Sequence, residues 1–139
     1  MSEHLKEIIK ACEDLGDIKK YNIKKLLNAF FSKMETKITN YIGDYPTFIE
    51  PVFLEENVKI GDDVLIGPNV YIGSNTEIGD YVEISNSIVF ENVKIGENFK
   101  LENCIILKDS SLDFRNFSLK NCILKGTSSS ESELEKYDL

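Results

Sequence analysis

The chain has 139 residues, with 24 acidic and 16 basic side chains and a formal net charge of −8. That length suits one continuous hydrophobic core, and the acidic balance argues against nucleic acid or an anionic membrane as the main partner, because both bind basic surfaces. No apolar run approaches the roughly twenty residues of a membrane-spanning helix and the charged amino terminus does not look like a signal peptide, so the sequence predicts a cytoplasmic protein without a membrane partner.

The first predicted element is an amphipathic helix within a helical segment that covers residues 1–44. Apolar side chains from Leu5 to Leu15 recur at the spacing of one helix face. Ser2 is the predicted cap at the start of this helix and Gly16 the predicted end, since hydroxyl side chains and glycine favour those two positions.

A second helix is predicted to begin after Asn22 and to continue to about Asn40. Its apolar stripe is broad and comprises Ile23, Leu26, Leu27, Phe30, Phe31, Met34 and Ile38. A stripe of that width has to be buried, so these side chains are interpreted as packing residues and not as a cofactor site.

Six-residue repeats follow, and they predict a parallel β-helix over residues 45–126. From Val58 the chain reads V-K-I-G-D-D, V-L-I-G-P-N, V-Y-I-G-S-N, T-E-I-G-D-Y and V-E-I-S-N-S. Positions 1 and 3 of each hexad should point inward, and three hexads close one triangular coil of about eighteen residues. The sequence therefore predicts about four coils around an inward stack of Ile60, Ile66, Ile72, Ile78, Ile84, Ile95, Leu101 and Leu119.

A longer repeat supports this coil length. Asn86, Asn103 and Asn121 each begin a similar tetrapeptide, N-S-I-V, N-C-I-I or N-C-I-L, at steps of 17 and 18 residues. The shorter step is assigned to one residue missing from the corner between Ile88 and Asn92, and an extra residue is expected near Phe114.

Position 2 of each hexad should point outward, which sorts the outer residues by side. Two sides are largely polar, with Lys59, Glu77, Lys94 and Ser111 on one and Leu65, Glu83, Lys100 and Ser118 on the other. The third side is predicted to expose an apolar ladder of Phe53, Tyr71, Val89, Ile106 and Leu124. These five residues are the predicted interface, to be covered by the helices of the same chain, by a neighbouring subunit, or by both.

The corners carry small polar residues. Asn57, Asn75, Asn92 and Asp109 follow the third side, and they are interpreted as a structural ladder because Asn and Asp tolerate left-handed backbone. Cys104 and Cys122 should stack at another corner, where a disulfide is geometrically conceivable but reduced thiols are expected in a cytoplasmic protein.

The last residues, 127–139, are rich in serine and acidic side chains. They predict a polar, loosely ordered tail, because few apolar groups are available to bury. Leu134 and Tyr137 are the two side chains that could dock if a partner surface exists.

The V-x-I-G-x-N hexads resemble the hexapeptide-repeat family of left-handed parallel β-helices. The change to N-S-I-V and N-C-I-I repeats is most similar to the carboxy-terminal domains of sugar-phosphate nucleotidyltransferases. The resemblance implies a left-handed coil and a homo-oligomer, trimer first and dimer second, because such relatives commonly trimerise. Those enzymes bind nucleotide through a glycine-rich loop on an amino-terminal domain, and no such loop is found here. The resemblance therefore implies that the chain is either a fragment or a free-standing relative. It also makes a nucleotidyltransferase domain a candidate partner.

The resemblance also implies which chemistry to look for. Hexapeptide acyltransferases use a coil histidine as general base with coenzyme A, and γ-class carbonic anhydrases need three histidines on one metal. The single histidine, His4, lies in the first helix, where it should be solvated. We therefore predict no catalytic residue, no metal and no cofactor.

The predicted function is a non-catalytic assembly or regulatory module related to sugar-phosphate nucleotidyltransferases. Two alternatives stay open. One is an acyltransferase-type enzyme with an unrecognised catalytic residue, and the other is a free-standing scaffold protein.

Overall fold

The computed structural model describes residues 3–139, in which helices precede a β-solenoid. The helices are α1 (Glu3–Cys12), a 3-10 helix (Leu15–Lys20) and α2 (Ile23–Lys33). Within these residues, no helix has the length and apolar character needed to cross a membrane.

The helix ends follow local capping chemistry only in part. Asn22 caps α2 as predicted, because its side chain accepts a hydrogen bond from the Lys25 backbone N–H at 3.2 Å. The predicted cap of α1, Ser2, lies outside the described residues. The expected continuation of α2 to Asn40 is wrong, since α2 ends at Lys33 and the next residue is extended.

The residues after α2 belong to the solenoid. Lys37 pairs in parallel with Phe53, and Ile42 with Lys59, so the chain is already coiling there. Ile38 packs against the interior of the coil, as does Tyr41 farther along. Burial of these side chains in the coil outweighs the helical spacing that the sequence shows, because tertiary packing decides marginal helix positions.

Three sheets run along the coil, and each turn contributes one strand to each sheet. Within each sheet, neighbouring strands come from successive turns and are given below in that order. Sheet 1 comprises β2 (Val52–Leu54), β5 (Val70–Ile72), β8 (Ser87–Val89), β11 (Ile105–Ile106), β14 (Cys122–Lys125) and β16 (Glu135–Asp138). Sheet 2 comprises β3 (Lys59–Ile60), β6 (Glu77–Ile78), β9 (Lys94–Ile95), β12 (Ser111–Leu112) and β15 (Thr127–Ser128). Sheet 3 comprises β1 (Thr47–Phe48), β4 (Leu65–Ile66), β7 (Glu83–Ser85), β10 (Phe99–Glu102) and β13 (Phe117–Lys120).

The predicted solenoid is confirmed, although it has about five turns instead of four. The additional turn precedes the first clear hexad and contains β1. Its sequence lacks the repeated valine and isoleucine of the later hexads, with Tyr41 and Phe48 inside the coil instead. A motif based on aliphatic spacing therefore misses it.

The interior of the coil is a continuous apolar stack. All eight predicted inward residues belong to this core: seven are buried and Leu119 is partly buried against them. Parallel pairing holds them in register from coil to coil, as in Ile60 with Ile78 and Ile66 with Ile84. The extra residue expected near Phe114 is also present, and the Phe114 ring packs against Phe99 and Phe117 at 5.1 and 5.4 Å between ring centroids.

The carboxy-terminal residues are ordered differently from the loose tail that was predicted. Thr127–Ser128 form β15, Glu131–Glu133 form a 3-10 turn, and Glu135–Asp138 form β16. β16 pairs with β14 in antiparallel orientation, whereas the strand pairs within the coil itself are parallel. Leu134 packs against the interior of the last coil, so the chain covers its own carboxy-terminal end.

Replacing Ile66 with Ala should lower the free energy of unfolding by about 2–5 kcal/mol, because the side chain is fully buried and its loss leaves a cavity. Urea denaturation followed by circular dichroism measures this change. The control is Lys59→Ala on an exposed position of sheet 2, which should change stability by less than about 0.5 kcal/mol. Equal effects of the two substitutions would contradict the assigned register.

Candidate functional site

The outer face of sheet 1 carries the helices. A second apolar core lies between them, and its members from the helices include Ile8, Leu27, Phe30 and Phe31. Its members from sheet 1 are Phe53, Tyr71, Ile88, Ile105 and Ile123, which pair in this order from coil to coil. Burial of an apolar helix face against an apolar sheet face fixes the helical layer on the coil.

This face differs from the predicted interface in three of its five residues. Phe53 and Tyr71 do point outward, but Val89, Ile106 and Leu124 are buried inside the coil. Ile88, Ile105 and Ile123 take their places on the outer face. The register differs because the missing corner residue lies at another place than predicted. Tyr71 pairs with Ile88, so the shortened corner precedes Ser87 and not Asn92. A one-residue shift exchanges the two faces of a strand.

The sequence held a signal for the correct register. Ser87, Cys104 and Cys122 are small and stand two positions before Val89, Ile106 and Leu124, which is the spacing of two inward residues. Because both residues of each Ile-Val, Ile-Ile or Ile-Leu pair are apolar, hydrophobicity alone did not distinguish inside from outside. Both faces of this sheet are buried, as is usual in parallel sheets.

Tyr71 joins the coil to the helical layer through its ring and its hydroxyl. Its ring stacks on Phe53 at 5.7 Å and meets the edge of Phe30 at 5.8 Å, both measured between centroids. Its hydroxyl donates a 2.7 Å hydrogen bond to Glu55 Oε2. Burial, together with this carboxylate, holds the pKa of Tyr71 well above its ordinary value. The hydroxyl therefore stays protonated and acts as a structural donor.

The single histidine of the sequence is not on the coil. His4 lies in α1, half-buried instead of solvated as predicted, and its buried Nδ1 has no hydrogen-bond partner in the structure. Among residues 3–139, no three His, Cys, Asp or Glu side chains are placed to hold a metal ion. The histidines that hexapeptide acyltransferases and γ-class carbonic anhydrases use have no counterparts on the coil, because the coil sequence contains no histidine.

The outer faces of sheets 2 and 3 carry exposed ion pairs, in the arrangement predicted from position 2 of the hexads. Lys59 lies 3.8 Å from Glu77 on sheet 2, and Lys100 lies 3.5 Å from Glu83 on sheet 3, each pair joining adjacent coils. Exposed pairs of this kind contribute little stability, on the order of 0–1 kcal/mol. These faces are solvated surfaces with mixed charge.

The corners are ladders of left-handed residues. Asn57, Asn75, Asn92 and Asp109 all have φ between 57° and 63°, and Asn57 donates to Asn75 across 2.8 Å. The predicted structural ladder is confirmed. Two further ladders occupy the other corners, with side-chain hydrogen bonds from Asn69 to Asn86 at 2.9 Å and from Asn98 to Asn116 at 2.8 Å.

One corner departs from this chemistry and exposes two tyrosines. Tyr45 and Tyr81 occupy left-handed positions, with φ of 54° and 59°, where the same corner elsewhere has Asp63, Asn98 and Asn116. Tyr45 is 96% exposed and Tyr81 57% exposed. Bulky residues are rare in this conformation, which costs roughly 1–2 kcal/mol. We call the group Tyr45, Tyr81, Ile42 and Ile49 the tyrosine patch; Ile42 and Ile49 are 57% and 46% exposed.

The hexad spacing does not predict the tyrosine patch. Tyr45 and Ile42 belong to the turn that the hexad spacing does not reveal, and the aromatic residue of T-E-I-G-D-Y looks like any other corner residue. The detectable signal was the tyrosine itself, because it stands where the three preceding hexads end in Asp or Asn.

The comparisons with known proteins agree with this geometry. The model of the GMPPB C-terminal domain family matches residues 48–133, which is more than half of the chain. The chain belongs to the GMPPB C-terminal domain family. The match includes the last four coils and the turn that precedes β16, and it agrees with the resemblance to nucleotidyltransferase carboxy-terminal domains. Comparison with curated proteins and with solved structures gives no match.

The three cysteines are free and buried. Burial raises the pKa of Cys12 to about 12 and that of Cys104 to about 11, and it also raises the pKa of Cys122. Cys104 Sγ contacts the carbonyl oxygen of Leu119 at 3.5 Å. These thiols are structural side chains, because the thiolate is the reactive form and burial disfavours it.

At pH 8 the folded chain should react with Ellman's reagent far more slowly than the unfolded chain. A pKa of about 11 instead of 9.0 lowers the thiolate fraction of Cys104 by about 100-fold. The rate should rise as pH increases toward 11, because the raised pKa delays deprotonation. In urea all three thiols should react, and a count of one would contradict the reduced state of Cys104 and Cys122.

Proposed function

We propose that this member of the GMPPB C-terminal domain family is a non-catalytic β-helix module that serves assembly or regulation in a sugar-phosphate-nucleotidyltransferase-like protein. The observation that carries the proposal is the family match over residues 48–133. Two observations support it: the coil sequence contains no histidine, and the outer face of sheet 1 packs against the helices. Neither feature provides a general base near an acceptor site. A cytoplasmic location is part of the proposal, supported by three unpaired cysteines.

This proposal predicts binding to protein and not turnover. The purified chain should not consume acetyl-coenzyme A with amino-sugar acceptors, and titration with coenzyme A or a nucleoside-diphosphate sugar should show no binding at millimolar concentration. It should co-elute with a sugar-phosphate nucleotidyltransferase catalytic domain from the same genome in size-exclusion chromatography. Turnover that is lost on changing one coil residue would instead establish the acyltransferase-type enzyme. Absence of both turnover and co-elution would favour the free-standing scaffold.

We further propose that the chain forms a homo-oligomer, trimer first and dimer second, through the tyrosine patch. The resemblance and the predicted apolar ladder both favoured an oligomer, but the outer face of sheet 1 is covered by the helices of the same chain. The tyrosine patch supports assembly instead, since four large apolar side chains are exposed, three of them in the first turn and Tyr81 two coils farther along the corner of Tyr45. Strained residues that cost stability are retained where they have another role.

Exchanging both tyrosines for the usual corner residue tests this role. The double variant Tyr45→Asn/Tyr81→Asn should be more stable than the natural chain by about 1 kcal/mol, because asparagine tolerates the left-handed backbone. The same variant should lose the oligomer in multi-angle light scattering at micromolar concentration. The control Ile9→Asn, at a 41% exposed position on α1, should keep the oligomer. A natural chain that is monomeric under these conditions would reject the proposal.

A further inference from the structure

The carboxy-terminal strand β16 occupies a position that differs from every other strand of the coil. It adds to the edge of β14 in antiparallel orientation, with Ile123 opposite Tyr137 and Lys125 opposite Glu135. The other neighbour of β14 is β11, which is parallel to it. β14 is the last coil strand of sheet 1, so β16 covers a backbone edge that would otherwise be open.

The hydrogen bonds around β14 identify which backbone groups face β16. Leu139 donates to the Asn121 carbonyl at 3.0 Å on the β16 side, and Leu107 donates to the Leu124 carbonyl at 3.0 Å on the β11 side. Because successive residues of a strand direct their N–H and C=O groups to opposite sides, Ile123 and Lys125 face β16. In the antiparallel register, the Glu135 N–H points toward β14 and the Lys136 N–H points away from it.

β16 is held by few side-chain contacts. Glu135, Lys136 and Asp138 are exposed, while Leu134, Tyr137 and Leu139 are half-buried. Asp138 accepts a long hydrogen bond from Cys122 Sγ at 3.6 Å. Main-chain pairing with a few apolar contacts is also how extended peptides bind to the edge of a sheet in other proteins.

We propose that the edge of β14 is a peptide-binding edge, filled within one chain by residues 135–138, and that it also accepts the same strand from a second copy of this chain. The second copy is the partner because its tail is the sequence that the structure shows to fit the edge in register. Exchange of an identical element requires no new contact, only movement of the segment that connects it, here residues 129–134. This inference is independent of the proposed function and of the tyrosine patch.

Two proline variants of the full chain distinguish an edge held by main-chain pairing from a tail held by side chains alone. Glu135→Pro removes the N–H that faces Lys125, whereas Lys136→Pro removes one that faces solvent, and both side chains are exposed. In Glu135→Pro, amide hydrogen exchange at Ile123 and Lys125 should be faster by at least ~10-fold. In Lys136→Pro it should stay within about threefold of the natural chain, and the amides of Ile66 and Ile84 should be protected in all three proteins.

A labelled peptide with the sequence of residues 131–139 then tests capture in trans. It should bind the Glu135→Pro chain, restore slow exchange at Ile123 and Lys125, and bind the natural chain at least ~10-fold more weakly, because the intact tail competes for the edge. The double variant Leu134→Asp/Tyr137→Asp releases the tail by removing its apolar contacts, and it should bind the peptide as well. No peptide binding to either released variant would overturn the proposal. Equal binding to the natural chain would also overturn it, because the peptide would then occupy a different surface.

Discussion

The left-handed backbone residue at the end of each side of the coil is the constraint on which the rest of the structure depends. Within residues 3–139, every non-glycine residue with positive φ lies at a corner, and most are asparagine or aspartate. Each such residue turns the chain from one sheet toward the next. The amide side chains then satisfy one another along the stack, as from Asn57 to Asn75. Stacked corners keep the strands in register, and the register aligns the inward isoleucines.

The coil was predicted correctly where the spacing of the corner residues and the spacing of the inward residues indicated the same register. Ile60, Ile66 and Ile78 could be placed inside because each follows a six-residue corner interval. The prediction failed at Ile88 and Val89, where the preceding side has five residues and both candidates for the inward position are apolar. Only the pairing of Tyr71 with Ile88 resolves that ambiguity, and it is a contact between coils that local pattern does not contain. The tyrosine patch was harder to predict than this register, because Tyr45 lies in a turn without aliphatic hexads.

The helical layer explains why an apolar outer face is compatible with a single chain. Phe30 contacts Tyr71 directly, and the aromatic pair ties the second helix to the coil. Tyr71 also reaches Glu55 at the edge of this layer, so its polar atom is satisfied while its ring is buried. With sheet 1 used in this way, the outer faces of sheets 2 and 3 stay exposed and carry ion pairs between neighbouring coils.

The two ends of the solenoid are not equivalent. At the carboxy-terminal end, Leu134 and β16 cover the last coil. At the other end the first turn leaves Tyr41 and Phe48 only partly buried, next to the exposed Ile42 and Tyr45. Solenoids need polar or covered terminal repeats to stay soluble, because each repeat buries its apolar groups only against its neighbours. Within residues 3–139, the carboxy-terminal end is therefore covered by the chain itself, whereas the amino-terminal turn keeps aromatic side chains on the surface.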